Sequence, residues 1–188
     1  MSKDNRCGWV GQDPLYIEYH DTEWGVPEYN SRALWEKLTL EAFQAGLSWI
    51  TILKKRENFR KAFAGFDPNV IADWGANQVE NLLQDSGIIR HRGKIEATIG
   101  NAKAWQNIEN AQGFDHFLWR YVDHKPIINA WVSLSAVPAQ TPLSQQISRD
   151  LKAAGFKFCG PTIVYAFLQA SGMVNDHLVG CPARELRR

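Results

Sequence analysis

Gly155-Phe156-Lys157-Phe158-Cys159-Gly160-Pro161-Thr162 is the stretch on which the fold turns. It separates a helical segment ending near Ala154 from an apolar one running from Ile163 to Ala170. Gly155 and Gly160 let the backbone turn tightly and let another surface come close. The second helix then starts with amides that lack a partner inside the helix, and these favour an anion. A nucleic-acid phosphate suits that position, with Lys157 adding charge, and such a contact positions a duplex without reading its sequence. Taken alone, the same residues also describe an ordinary turn between two helices.

The flanking sequence reads as helix almost throughout. Asn30-Ser31 opens a segment through Leu34, Trp35, Leu38, Glu41 and Ala42, with Gly46 as its stop. Asp67-Pro68 is a cap followed by proline, opening a helix through Val70, Ile71 and Trp74. Asn77 is placed to cap Val79, Leu82 and Leu83. Lys94 to about Ile108 has amphipathic spacing, and Gly113 divides it from Phe114–Val122. Thr141-Pro142 repeats the cap–proline pair before Leu143, Ile147 and Leu151. Ile127-Ile128 and Trp131-Val132 are short β-like pairs without an evident partner. The expectation is an all-α chain, one domain over residues 1–188 made of two packed helical halves.

At 188 residues and 45 % apolar content, the chain has enough material for a sizeable core. No apolar run approaches the roughly 18 residues that span a bilayer, and the first residues lack the apolar stretch of a signal peptide. A cytoplasmic protein, off the membrane, is expected. Net charge is only +1, but basic clusters occur at Lys54-Lys55-Arg56 and at Arg90-His91-Arg92 with Lys94. Such clusters are either solvated faces or phosphate contacts. Eight tryptophans offer flat surface for stacking as well as core volume.

Three cysteines cannot form a fully paired disulfide set and suit a reducing compartment. Cys7 and His20 lie near one end, His177 and Cys181 near the other. Two thiolates and two imidazoles make a suitable tetrahedral set for structural zinc, and joining the ends would close a very long loop. Buried thiols and a core histidine are the alternative. Cys159, inside the turn, reads as a small packing residue.

Gly87-Ile88-Ile89-Arg90-His91-Arg92-Gly93-Lys94-Ile95 is a second basic turn. It resembles the turn that precedes the hairpin in the helix-hairpin-helix glycosylase superfamily. A more specific resemblance runs nearly end to end. It comprises Cys7-Gly8-Trp9-Val10, Asp13-Pro14-Leu15-Tyr16, Tyr19-His20-Asp21 and Glu23-Trp24-Gly25-Val26-Pro27. Glu41 with Gln44-Ala45-Gly46-Leu47-Ser48-Trp49-Ile50, Lys54-Lys55-Arg56-Glu57-Asn58, Gly155–Gly160, and Val174-Asn175-Asp176-His177 with Cys181 continue it. These segments are similar to the constitutive bacterial family of 3-methyladenine DNA glycosylases of type I.

The resemblance implies a helix-hairpin-helix glycosylase fold whose ends are joined by zinc on Cys7, His20, His177 and Cys181. It implies base-excision repair: hydrolysis of the N-glycosidic bond of 3-methyladenine in double-stranded alkylated DNA, with the free base as product. Methylation at N3 makes the purine cationic, so the base leaves neutral and little acid catalysis is needed. Glu41 becomes the base-reading carboxylate, and Glu41 with Tyr16 the candidate catalytic pair. Trp9, Tyr16, Tyr19, Trp24 and Trp49 become the aromatic pocket, Trp49 and Tyr16 foremost. A cationic purine stacked on such rings gains roughly 0.5–2 kcal/mol per good contact.

Where the wider superfamily carries a catalytic aspartate, this chain has Asn175. Asp176 is either a contributor to the reaction or a group orienting His177 on zinc. Leu47 is either a wedge filling the gap left by an extruded base or a core leucine. Lys54, Arg90, Arg92, Gly155, Lys157 and Gly160 are the expected DNA contacts. The rivals are a non-enzymatic DNA-binding module, a different glycosylase that is broader in substrate or also cuts at abasic sites, and a zinc hydrolase. The second, in its cutting form, would want a lysine near Glu41–Trp49, which the local sequence does not offer; the third is disfavoured by a filled zinc shell. A monomer is expected, because a repair enzyme that reads no sequence needs no symmetry.

Overall fold

Caps written into the sequence open most of the helices. The computed structural model describes residues 5–185; Met1–Asp4, part of the stretch read for a signal peptide, lie outside the described residues. Asp13 accepts from the Leu15 amide and opens α1 (Pro14–Thr22), with proline at the first position. Asn30 accepts from the Arg32 and Ala33 amides ahead of α2 (Ser31–Gln44). The helix α3 (Trp49–Ala62) follows the Gly46-Leu47-Ser48 turn.

Asp67 caps α4 (Pro68–Ala72) as expected. The helix is shorter than its apolar spacing suggested: Asp73 ends it, and Trp74 lies beyond, its ring 5.8 Å from that of Phe63. Helix α5 (Ala76–Gln84) starts from Gly75, so Asn77 sits inside the first turn and is not the cap.

The long helix α6 (Arg92–Gln112) is capped by the His91 ring, which accepts from the Lys94 amide. Gly113 then begins α7 (Phe114–Trp119) and a 3₁₀ turn over Arg120–Val122. Thr141 and Ser144 form a reciprocal capping box at the start of α8 (Pro142–Ala153), and α9 (Pro161–Ala170) follows the turn.

The chain is not purely helical. Ile127–Ile128 (β1) pairs in parallel with Val174–Asn175 (β2), so Ile127-Ile128 does have a partner. Two residues give no period to read, and the partner lies far along the chain. The short α10 (Pro182–Glu185) closes the described structure. None of the described helices is long and apolar enough to cross a membrane.

The main core gathers around α2. Trp35 and Phe43 are fully buried with Phe59, Phe63, Phe66 and Phe114, each contributing roughly 1.5–3 kcal/mol of burial or more. A second, smaller cluster packs Tyr19, Trp24 and Leu53 around Cys7 and Cys181, joining the two ends of the chain. Between α8 and α9, Gly155 has φ +100°, which a side chain tolerates poorly. Gly160 differs: its φ is −62°, and an added Cβ would meet nothing within 4 Å. The fold needs glycine at 155 but not at 160.

Candidate functional site

A cleft of about 440 Å³ opens beside Glu41. Tyr16 and Tyr19 reach it from α1, Glu41 and Gln44 from successive turns of α2, and Trp49 from the first residue of α3, with Trp9 and Trp24 behind them. The opposite wall comes from two places the sequence did not mark. One is a stripe of α9, Thr162, Tyr165, Ala166 and Gln169, whose spacing places all four on one face. The other is the segment after β1, through Leu134, Val137, Pro138 and Ala139. The α9 stripe was open to detection from its helical spacing. The loop segment carries no periodicity.

Glu41 is 4 % exposed, and its carboxyl receives no hydrogen bond from the described residues. Burial pushes it up to about 8, against a smaller opposing pull from Lys37, whose Nζ is 3.1 Å from Glu23. Burial, with the nearby Glu41, also pushes the Tyr16 and Tyr19 hydroxyls up. The cleft is therefore a largely apolar, aromatic recess with one carboxyl whose hydrogen-bonding capacity is unspent. A cation entering it would favour the carboxylate form.

The aromatic rings divide into two groups. Trp9 packs at 4.9 Å from Tyr16 and 5.0 Å from Trp24, and Trp24 sets its ring against His177 at 4.6 Å. Trp9 and Trp24 thus stand between the cleft and the Cys/His cluster. Tyr19 and Trp49 form the other side, their rings 5.4 Å apart, and Trp49 is only partly buried.

Cys7, His20, His177 and Cys181 come together with all four ligand atoms within 4.8 Å of one another. Cys7 Sγ is 3.7 Å from His177 Nδ1, and Cys181 Sγ is 3.5 Å from both His177 Nδ1 and His20 Nε2. Around a tetrahedral metal with sulfur and imidazole ligands, a sulfur and a nitrogen stand about 3.6 Å apart. The donor set therefore fits a metal ion. Burial, reinforced by Cys181, pushes the Cys7 thiol up to about 12, so two thiolates at this spot call for a cation.

The outer nitrogens are also held: His20 Nδ1 lies 2.7 Å from Asp21 Oδ1, and His177 Nε2 lies 3.0 Å from the Trp24 carbonyl. Arg6 and then His20 hold the Asp21 carboxyl down at about 2. The carboxylate behind the cluster is thus Asp21, on His20; of the two readings left open for Asp176, the one that sets it behind His177 finds no support in its hydrogen bonds. Asp176 Oδ1 instead receives the Asn129 amide and the Trp131 indole, both at 2.7 Å. Its Oδ2 receives the Tyr165 hydroxyl at 2.5 Å and the Gln169 amide at 2.8 Å. Asp176 ties the loop side of the cleft to α9. Asn175 is buried beside it, its Oδ1 accepting the His177 amide.

Leu47 is 39 % exposed, which removes the core-leucine alternative. Gln44 Nε2 holds the Leu47 carbonyl at 2.6 Å, fixing the turn at the rim of the cleft. The two basic turns expected from sequence are neighbours: the ring centres of His91 and Phe158 are 6.1 Å apart, edge to face. Phe158, which the sequence reading passed over, is exposed with φ +53°.

Among the cations, Arg90 and Lys157 are exposed and unpaired with the described residues. Lys54 pairs with Asp13 at 2.7 Å, and Arg92 with Glu80 at 2.7 Å. Arg56 is turned inward on Glu23. Lys94 is not part of a basic face at all: it is buried, its Nζ donating to the Phe43 and Ala45 carbonyls at 2.9 and 2.8 Å. The structure thus brings a lysine to the Glu41–Trp49 segment that local sequence did not, although Lys94 does not line the cleft.

A protein-family model described as methyladenine glycosylase matches residues 9–185. DNA-3-methyladenine glycosylase 1 of Escherichia coli (strain K12) is 56 % identical over 177 residues, covering 94 % of this chain and 95 % of that protein. DNA-3-methyladenine glycosylase of Haemophilus influenzae is 51 % identical over 180 residues, covering 95 % and 97 %. A solved structure of a 3-methyladenine DNA glycosylase I variant in complex with 3-methyladenine superposes with a TM-score of 0.93. It shares 41 % identity, covering 96 % of this chain and 97 % of that one.

Proposed function

Since the chain belongs to the methyladenine glycosylase family and is a DNA-3-methyladenine glycosylase, we propose that it excises the base by drawing it from the duplex into the cleft beside Glu41. The observation that carries this reading is Glu41 itself, a buried carboxyl without a protein donor in an aromatic recess. The carboxyl lines the cleft, and in so apolar a setting a ligand that donates a hydrogen bond to it gains more than it would in water. An N3-methylated adenine has both complements: an exocyclic amine to donate and a delocalised positive charge.

The leaving group is activated in advance. Cleavage of the C1′–N9 bond releases a neutral base and leaves an oxocarbenium-like sugar, which water attacks; one proton goes to solvent. Trp49 and Tyr16 stack against the cationic ring, Tyr19 walls the recess, and ordinary adenine forgoes the cation–π part of that attraction. Trp9 and Trp24 brace the site from behind. Leu47, at the rim, fills the gap left by the extruded nucleotide. The turn between α8 and α9 is the hairpin of a helix-hairpin-helix pair, where Gly155, Lys157 and Gly160 receive a phosphate of double-stranded DNA at the N-terminus of α9. Arg90, Arg92 and Lys54 add phosphate contacts.

The ion we assign to Cys7, His20, His177 and Cys181 is zinc, on the strength of a two-sulfur, two-nitrogen set with tetrahedral spacing. Filled by four protein ligands, it supplies structural cross-linking and no chemistry in the cleft. The proposed reaction is monofunctional: Lys94 is buried with its Nζ donating to two carbonyls, and none of the residues lining the cleft is a lysine.

The test is to incubate the protein and its Glu41→Gln variant with methylated DNA and identify the released bases by chromatography. Release of 3-methyladenine with little 7-methylguanine is expected, and its loss in the variant. A variant that works as well as the parent would remove Glu41 from the mechanism. Absence of a borohydride-trapped adduct would accord with monofunctional cleavage.

A further inference from the structure

Three buried polar side chains, Lys94, Thr98 and Asn101, line one face of α6 over two turns. Lys94 donates to the Phe43 and Ala45 carbonyls at the end of α2, immediately before Leu47. Asn101 clamps the other turn: its Nδ2 donates to the Lys157 carbonyl at 3.0 Å, and the Lys157 amide donates to its Oδ1 at 2.7 Å. Thr98 folds back on the Lys94 carbonyl at 2.8 Å. Burying an ammonium without a carboxylate partner is costly, and a methionine would fill the same volume. The polar groups are spent on holding two turns: the main core includes none of residues 44–48, and it reaches the other turn through Phe156 and Cys159 but leaves Lys157 between them exposed.

We propose that α6 is a spacer that fixes the Leu47 turn and the Lys157 turn about 10 Å apart along its axis, so that a duplex gripped at the hairpin meets Leu47 in register. This rests on the proposed function, in which Leu47 enters the duplex and the hairpin holds its backbone. Lys94 and Asn101 are positioning residues: neither lines the cleft, and each acts through the turn it holds.

The experiment compares the full chain with its Lys94→Met and Asn101→Leu variants. Affinity is measured for duplex DNA carrying a tetrahydrofuran abasic analogue and, separately, for free 3-methyladenine. Loss of two hydrogen bonds to a charged donor, or of a paired amide clamp, is expected to weaken duplex binding about tenfold. Free-base affinity should stay within about twofold, since the cleft is untouched, and Lys94→Arg should restore most duplex binding. In a Leu47→Ala background the Lys94→Met effect should nearly vanish, because the two act as one unit.

Unchanged duplex affinity in both variants, a full Lys94→Met effect without Leu47, or equal loss of free-base affinity would each overturn the proposal. If Lys94→Met does not fold, Lys94→Gln, which keeps an amide donor, takes its place in the same comparison. Failure of the parent protein to prefer abasic over intact duplex would instead overturn the function on which the proposal rests.

Discussion

The Tyr165 hydroxyl donates to Asp176 Oδ2 at 2.5 Å, completing four donors around a carboxylate that has no further lone pair to offer. An aspartate so occupied is a poor general base and a good tie between two walls of a cleft. Asp176→Ala would leave the Asn129, Trp131, Tyr165 and Gln169 donors competing for partners in a buried space. We expect a loss of about 3 kcal/mol in denaturant unfolding, with metal content unchanged. Loss of metal at full folding stability would put Asp176 back behind His177.

Glu41 carries a stability signature of its own. Its folded carboxyl is raised to about 8 from an ordinary value of 4.5, because burial disfavours the charge. The folded protein then holds a proton that the unfolded chain has given up, so stability from this group is complete below about pH 4.5 and declines as pH rises toward 8. Glu41→Gln has no proton to lose. The variant should unfold at higher denaturant than the parent at pH 8–9, by an amount on the order of 3 kcal/mol, and the difference should shrink toward pH 5. Parallel curves across that range would mean that Glu41 is ionised in the free protein.

The two groups of rings predict different phenotypes. Trp24 is buried between the cleft and the Cys/His cluster, in edge contact with His177, so Trp24→Ala should cost about 3–5 kcal/mol of folding stability. Trp49 is partly open and faces the cleft. Trp49 also packs against both apolar clusters, so Trp49→Ala should cost some stability, but less than Trp24→Ala, while weakening free 3-methyladenine about tenfold by calorimetry. Equal base affinity in the Trp49 variant would move the stacking role elsewhere.

What could be read in advance follows from locality. Asn30, Asp67 and Thr141 cap their helices because a short oxygen side chain answers amides two or three residues on, and that relation is complete within a few positions. The cluster of Cys7, His20, His177 and Cys181 has no such local grammar; spacing alone favoured buried thiols and a core histidine, and the resemblance supplied the set. Asp176 was left between two roles for the same reason. Its neighbour in sequence is His177, but two of its partners, Asn129 and Trp131, lie on a distant loop. Lys94 looked like one more cation in a basic run until the end of α2 was seen to close over it.

Removal of the metal should separate the two ends of the chain. The cluster joins residues near both termini, and metal clips across long loops restrict the unfolded chain most. With a strong chelator, or with Cys7→Ser, we expect a loss of at least about 3 kcal/mol and release of stoichiometric zinc by elemental analysis. The Trp9–Trp24 wall rests on His20 and His177, so base affinity should fall with it. A chelated protein of unchanged melting temperature would show that packing alone holds the four side chains together.

Salt dependence can rank the DNA contacts one by one. Each cation that neutralises a phosphate releases a counterion and adds roughly 0.9 to the slope of log affinity against log salt. Lys157 and Arg90 enter the complex without an ion pair to the described residues, so each is free to neutralise a phosphate outright. Lys54 and Arg92 must first exchange Asp13 and Glu80 for DNA, and the carboxylates left behind offset the gain. Lys157→Ala and Arg90→Ala should therefore each reduce the slope by close to one, measured by fluorescence anisotropy between 50 and 200 mM salt. Lys54→Ala and Arg92→Ala should change it by less than half as much. If all four variants shifted the slope equally, the ion pairs would have to open at no cost on binding. If Lys157→Ala left it unchanged, the α8–α9 turn would not be where the phosphate sits.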